Sequence, residues 1–391
     1  MRPIMKILML HNRYLERGGE DESVEAEIAL LRHHGHQIDF LELNNRLIQT
    51  RSLLRTGVET VWSLPSYRLV RERILQSRPD VVHIQNFFPL FSPAIHYAAK
   101  AEGKPVVQVL RNYRLLCLNG LFFRDNINCE DCLGRFIPWP GILHRCYRQS
   151  AAGSAVVAAM LTFHRLLHTW ESKVDLFYTL SDFARRKFIQ AGMSEKKIAV
   201  KPNFVVDPGV GHEQRHYVLF VGRLVNEKGV LTMLDAWKIL DEMQIPLKIV
   251  GGGPLEKQVI ESTRISAHIE WLGKKEQASV LELMKGARFI LFPTHWYETF
   301  GRVVIEAFAT QTPVVASRIG SAAELISDQI NGLLFRAGDP NDLADKVRWA
   351  WEHPAEMVEM GRKARREYEE KYTPGKNYQI LMQIYDQILL N

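Results

Sequence analysis

Between Ala287 and Ala309 the chain reads as strand, tight turn and helix in quick succession. Ala287-Arg288-Phe289-Ile290-Leu291-Phe292 is a short, mostly apolar run, and Pro293 stops it because proline donates no hydrogen bond to a sheet. Arg302 to Ala309 has helical character, and Gly301 stands at its start. A strand that ends in a glycine turn and opens a helix is the repeating unit of parallel α/β sheets. It also leaves the first N–H groups of the helix without partners inside it, which suits an anion. Two carboxylates flank this helix start: Glu298 at the mouth of the turn and Glu306 two turns down.

The same alternation runs through the rest of the chain. In the first half Lys6–His11, Gln37–Leu43, Asp80–Gln85, Pro105–Leu110 and Asp175–Leu180 read as strands. Asp21–His34 reads as a helix, with Val24, Ile28 and Leu31 recurring at helical spacing. Two prolines and a glycine between Lys201 and Gly209 mark a linker. Alternation restarts with the strand Tyr217–Val221, the helix Gly229–Met243 and the strand Leu247–Val250. The chain of 391 residues is therefore expected to fold as α/β with two doubly wound domains, 1–203 and 204–374, followed by a helical stretch over 375–391.

Charge is uneven along the chain. Residues 1–203 carry 28 Lys and Arg against 19 Asp and Glu, and the remainder carries 22 against 25. A basic first half can meet anionic lipid headgroups or an anionic acceptor, or be a solvated surface. No lysine-rich block or aromatic-interleaved basic run points to nucleic acid. No apolar run is long enough to cross a membrane, and the N-terminus reads as a short buried strand rather than a signal peptide, so a cytoplasmic location is expected.

Further loops carry chemistry. Val221-Gly222-Arg223-Leu224-Val225-Asn226-Glu227-Lys228-Gly229 joins a strand to a helix and offers a guanidinium fork and a mobile ammonium five residues apart, both within reach of one diphosphate. Ile249-Val250-Gly251-Gly252-Gly253 ends a strand in three glycines, without the spacing of a dinucleotide fingerprint. In the first half, Gly18-Gly19 stands before a helix start that could hold a phosphate, although Glu20, Asp21 and Glu22 follow at once and would repel it unless they point away. His83, Gln85 and Asn86 end a strand on the ligand-binding edge, where a satisfied core histidine is an equal reading for His83.

Glu298-Thr299-Phe300-Gly301 followed by Glu306 resembles the signature of the family-4 retaining glycosyltransferases, the group 1 type, and the resemblance extends over nearly the whole chain. It implies the GT-B fold, two Rossmann-like domains facing each other across a cleft, with the last helix crossing back to the first domain. It implies a nucleoside-diphosphate sugar as donor and a glycan or lipid-linked acceptor, in surface polysaccharide or glycoconjugate synthesis. By resemblance Arg223 and Lys228 neutralise the leaving diphosphate, Glu306 binds the ribose, and Glu298, Thr299, Phe300 and Gly301 position the sugar. Leu272 presents backbone groups to the base, and Gly18 and Gly19 face the diphosphate. Many members carry histidine where Arg111 stands; arginine cannot act as a base at neutral pH but can bond a sugar hydroxyl or a phosphate. Front-side attack, in which the leaving phosphate takes the proton, needs no such base. No catalytic divalent metal is expected, in keeping with the lack of an Asp-x-Asp motif. A scaffold that binds the donor without transferring it is the alternative. A glycosidase pair is a poor reading: carboxylates eight residues apart along a helix lie about 12 Å apart, beyond the roughly 5–9.5 Å that hydrolysis uses.

All four cysteines, Cys117, Cys129, Cys132 and Cys146, fall in one segment of the first half, with a Cys-x2-Cys at its centre. Clustered thiols in a cytosolic chain suggest a structural zinc site on an insertion near 117–146. Reduced thiols and disulfides are the other two readings.

Overall fold

The computed structural model describes residues 3–15, 18–50, 52–211 and 215–390. It divides into two compact units. The first comprises the chain to Phe122, Cys129–Pro202 and the residues from Tyr378 onward; the second comprises Asn203–Asn377 and the short segment Phe123–Asn128.

The strands in chain order are β1 (Lys6–Arg13), β2 (Gln37–Asn44), β3 (Val81–Asn86), β4 (Val106–Leu110), the two-residue pair β5 (Phe123–Arg124) and β6 (Ile127–Asn128), β7 (Leu176–Thr179), β8 (Ile198–Val200), β9 (Tyr217–Val221), β10 (Leu247–Val250), β11 (Ile269–Trp271), β12 (Ala287–Phe292), β13 (Val314–Ser317) and β14 (Gly332–Phe335).

In the first unit a parallel sheet runs β2-β1-β3-β4-β7-β8. Its central strands are apolar on both sides: Ile7 to Leu10, Val81, Val82, Ile84, Val106 and Val107 are all fully buried. Parallel strands covered on both faces read this way. The helix Gly19–His33 buries Val24, Ile28 and Leu31, the positions that the periodicity picks out. It also buries Asp21 and Glu27, which the periodicity does not explain. The helix Pro374–Leu389 sends its later turns to this unit. There Tyr378 hydrogen-bonds His36 at 2.9 Å and stacks on His34, and Tyr385 hydrogen-bonds His83 at 2.7 Å.

In the second unit the order is β11-β10-β9-β12-β13-β14, again parallel throughout. Val218, Phe220, Ile249, Phe289 and Leu291 form the middle of its core. The strand order reverses between β1 and β3 in the first sheet and between β9 and β12 in the second. Loops leaving such switch points diverge and open a crevice at the carboxyl ends of the strands. The loops after β9 and β12 carry Arg223, Lys228 and Glu298, the loops after β1 and β4 carry Gly18 and Arg111, and Asn86 ends β3.

Two glycines fix the second crevice. Gly229 has φ +72°, and a Cβ there would sit 1.7 Å from the Pro293 carbonyl oxygen. Gly251 has φ +143°, and a Cβ there would sit 1.8 Å from the Gly222 carbonyl oxygen. Only glycine lets these loops touch.

Candidate functional site

In the second unit, the loops after β9 and β12 are tied together through their backbones. His295 N–H donates to Glu227 O at 2.8 Å, and Thr294 Oγ1 donates to the same oxygen at 3.1 Å. This contact delivers Lys228 to Glu298, and the two form an ion pair. The Lys228 ammonium also lies 5.7 Å from the Trp296 ring centroid and 5.9 Å from that of Phe292. Glu298 is buried, whereas Arg223 is mostly exposed and only 3.9 Å from Glu227. A fixed ammonium beside an exposed guanidinium provides one rigid and one mobile cation on the same crevice wall.

Glu306 is 3% exposed, one turn inside the helix Arg302–Ala309. Gln277 Nε2 donates to it at 2.8 Å, and the Arg302 guanidinium forms an ion pair with it at 2.9 Å. The helix starts at Gly301 with no side-chain cap, so its first N–H groups remain for a ligand. Phe300 is buried and meets the Tyr372 ring edge-on at 6.1 Å, which fixes the Phe300–Gly301 backbone. Sequence reasoning missed Gln277, because it comes from a helix 29 residues upstream. It also passed over Trp296 and Ser321, whose Nε1 and Oγ are buried without hydrogen-bond partners. Such orphaned groups beside a crevice are open to ligand atoms. Burial holds the His295 imidazole neutral, with Nε2 2.8 Å from Thr232 Oγ1.

Leu272 stands apart from this group. Its N–H donates to Ile249 O at 2.9 Å and is not available to a ligand. The ≈ 780 Å³ depression that it lines, with Lys248, Lys275 and Glu282, includes none of Arg223, Lys228, Glu298 and Glu306.

The first unit holds a different kind of site. Arg111 Nε and Nη2 donate to Gln85 Oε1 at 3.1 and 2.7 Å. Gln85 Nε2 in turn donates to Glu27, whose other oxygen accepts from Lys201 at 2.5 Å. Glu27 and Lys201 are both almost fully buried. Burial alone would raise the Glu27 carboxyl, but Lys201, then His83 and Arg111, outweigh it and bring it down to about 2. His83 lies between Tyr385 and Tyr178, and burial lowers it to about 4, so it is a satisfied core histidine. Arg111, Arg114, Tyr14, Asn86, Phe88 and Asn112 line a small pocket of ≈ 30 Å³ at the ends of β1, β3 and β4. That is room for a few atoms rather than a sugar ring.

At Gly18–Gly19 the helix N-terminus already has an anion of its own. Asp21 accepts from Gly18 N–H at 3.1 Å and from His11 Nε2 at 2.8 Å. Burial raises the neighbouring Glu20 to about 7, and its Oε1 has no partner. Glu20 is thus half-protonated near neutrality, and the repulsion of a phosphate at this turn depends on pH. Glu16 and Arg17, earlier in the same loop, lie outside the described residues.

The cysteine expectation needs correction. Among the described residues no three His, Cys, Asp or Glu side chains come together in a way that could hold a metal ion. Cys117 Sγ donates to Asn119 Oδ1 at 3.0 Å, and Cys132 Sγ points to Pro138 O at 3.8 Å. Burial pushes the Cys132 thiol up to about 12, with the neighbouring thiols adding to it, so it stays protonated. None of the four is in a disulfide. The spacing brought the thiols into one neighbourhood, but local oxygen acceptors orient Cys117 and Cys132.

Residues 208–367 match the family described as Glycosyl transferases group 1. That stretch contains Arg223, Lys228, Leu272, Glu298 and Glu306 and excludes Arg111. An uncharacterized glycosyltransferase of Methanocaldococcus jannaschii, MJ1178, is 37% identical over 135 residues, which cover 34% of this chain and 37% of that protein. The phosphatidyl-myo-inositol mannosyltransferase of Mycobacterium leprae is 31% identical over 200 residues, 47% of this chain and 52% of that one. The chain thus spans about half the length, or less, of these relatives. The crystal structure of Anabaena Alr3699/HepE in complex with UDP superposes with a TM-score of 0.69 at 18% identity, covering 98% of this chain and 100% of that one. The fold is therefore α/β with two parallel-sheet domains of the GT-B type.

Proposed function

We propose that this protein is a retaining glycosyltransferase that moves a sugar from a nucleoside-diphosphate donor to a glycan or lipid-linked acceptor. The observation that carries the reading is the second-unit crevice. There a Lys228–Glu298 ion pair and an exposed Arg223 stand at the switch point of the sheet, and Glu306 is clamped by Gln277 and Arg302. The family match over this stretch, the UDP bound in HepE and the mannosyltransferase among the relatives support it.

In this reading the leaving diphosphate gathers negative charge in the transition state, and Arg223 and Lys228 are the cations that meet it. Fixed positive charge acts there without reorganisation, and is the natural source of rate. Lys228 is already oriented by Glu298, so little side-chain entropy is lost when the phosphate arrives. Glu298 and the Phe300 and Gly301 amides take the sugar, and Glu306 accepts from the ribose hydroxyls. As the bond from the anomeric carbon to the diphosphate breaks and the new glycosidic bond forms on the same face, the β-phosphate oxygen takes the acceptor's proton, and Arg223 and Lys228 supply the positive charge that a metal would otherwise bring. Arg111, braced by Gln85, is assigned to a substrate hydroxyl or oxyanion, and Gly18 and Gly19 to a phosphate when Glu20 is protonated.

A thermal-shift screen against UDP, GDP and ADP tests the reading. One nucleotide should raise Tm in the wild type, and Glu306→Ala and Lys228→Ala should each lose most of that rise. No shift with any nucleotide would sink the donor assignment. A shift without sugar transfer or donor hydrolysis would leave only a binding scaffold.

A further inference from the structure

The segment that carries the four cysteines also contains the hairpin of β5 and β6, which belongs with the second unit although the chain on either side of it belongs with the first. Its turn is Asp125-Asn126, with φ 51° and 63°. Two central residues in the left-handed region make the tight turn that matches strand twist, and Asp and Asn tolerate that region. Phe123 pairs with Asn128 and Arg124 with Ile127, and Cys129 N–H donates to Phe122 O at 2.8 Å at the base of the hairpin. Ile127 is 62% exposed, and the next residue along the strand, Asn128, turns to the other side.

On that side Asn128 Nδ2 donates to His295 O at 2.7 Å. Only the nitrogen of the amide can face a carbonyl, so chemistry fixes which way the side chain is turned. Asn128 Oδ1 is buried without a hydrogen-bond partner. A buried amide left half-paired adds little to the stability of a fold. What the bond does set is the direction of the His295 carbonyl.

That carbonyl is one of three anchors on His295. The His295 N–H donates to Glu227 O at 2.8 Å and its Nε2 lies 2.8 Å from Thr232 Oγ1, so two anchors flank Lys228 in the chain. The third comes from 167 residues upstream. The His295 carbonyl shares a planar peptide with the Trp296 nitrogen, and turning one turns the other. Trp296 O accepts from Glu298 N–H at 2.9 Å, and the Trp296 ring stands 5.7 Å from the Lys228 ammonium, within cation–π range. Asn128 thus reaches Lys228 through one peptide and one indole.

We propose that Asn128 is a positioning residue of the donor site: through His295 and Trp296 it holds the Lys228 ammonium in the direction from which it meets the diphosphate. Lys228 has this task only in the donor reading, on which the assignment rests. Asn128 lies outside both the matched stretch 208–367 and the motif from Glu298 to Glu306. Alanine at 128 leaves the ammonium its charge and its pairing with Glu298 but frees the peptide that carries the ring beside it. The loss therefore falls on the diphosphate contact and not on the nucleoside.

Titration calorimetry with UDP and UMP, GDP and GMP, and ADP and AMP tests it, because the gain from mono- to diphosphate reads the Lys228 contact. In the wild type one diphosphate should bind more tightly than its monophosphate. Asn128→Ala should reduce that ratio about tenfold and leave the affinity for the monophosphate unchanged. Asn128→Asp, which keeps the shape and removes the donor, should do the same. Lys228→Ala alone should lower the ratio, and adding Asn128→Ala to it should lose no more, since both act through one contact. A merely structural fault in the hairpin would weaken mono- and diphosphate equally, and that result would overturn the assignment. So would a ratio that Asn128→Ala leaves intact, or a double variant whose losses add. A wild type that binds no nucleotide breaks the donor reading and this assignment with it; a wild type that binds, with Asn128 variants that bind as it does, breaks this assignment alone.

Discussion

The crevices of the two units hold their charges in opposite ways. In the second unit the partly exposed cations Lys228 and Arg302 pair with the buried carboxylates Glu298 and Glu306. In the first, Glu27, Lys201, Gln85 and Arg111 are all buried and come from four distant parts of the chain. Partly exposed cations can exchange partners with an incoming ligand at lower cost, because water still reaches them. Buried ones cannot, because each has been stripped of water and depends on its partner. The second unit's pairs are thus the ones open to exchange, whereas the first unit's hold Arg111 in one orientation.

The largest effect should come from breaking the buried set. Glu27→Gln leaves the Lys201 ammonium without its counter-ion and should cost about 3–5 kcal/mol of stability, read as a fall in the denaturation midpoint. Because Glu27 is held at about 2, below its ordinary 4.5, its contribution is present above pH 4.5 and disappears as pH falls from there towards 2. The wild type should lose its advantage over Glu27→Gln across that window, and a constant gap would contradict the burial argument.

Breaking the second-unit set should harm chemistry more than the fold. Lys228→Ala should lower kcat by about 10²–10³, while its loss of stability stays below that of Glu27→Gln because Lys228 itself is partly exposed. Comparable losses of stability in Lys228→Ala and Glu27→Gln would erase the distinction between the two crevices.

The smallest effect sharpens the comparison within a single helix. Glu20 and Glu27 share the helix Gly19–His33, yet burial outweighs the pull of Arg111 and raises Glu20 to about 7. The sign is therefore opposite: folding favours the protonated form, and stability falls as pH rises from 4.5 to about 7. Glu20→Gln should match the wild type near pH 5 and exceed it at pH 8 by up to roughly 3 kcal/mol, in thermal or denaturant melts. Equal stability at both pH values would mean that water reaches Glu20 freely.

How much of this was legible in the chain depended on how local the signal was. The strand Ala287–Phe292, the helix Arg302–Ala309 and the strands Tyr217–Val221 and Leu247–Val250 lie where their patterns put them, because apolar runs, proline and glycine act within a few residues. Gly229 was legible as a turn but not as the contact with Pro293 that brings Lys228 to Glu298. The cysteine spacing promised a shared centre, yet a metal site needs side-chain directions that spacing does not contain.

The sequence by itself determined two α/β units with parallel sheets, because alternating strand and helix signals have few other ways to bury their apolar faces. It also determined which loops carry cations and carboxylates. Tertiary structure alone decided that Glu27 meets Lys201 from 174 residues away. It alone decided that the helix Ala151–Leu166 keeps one apolar face in the open. Composition fixes how apolar a helix is, but only the packing around it fixes which of its faces meets water.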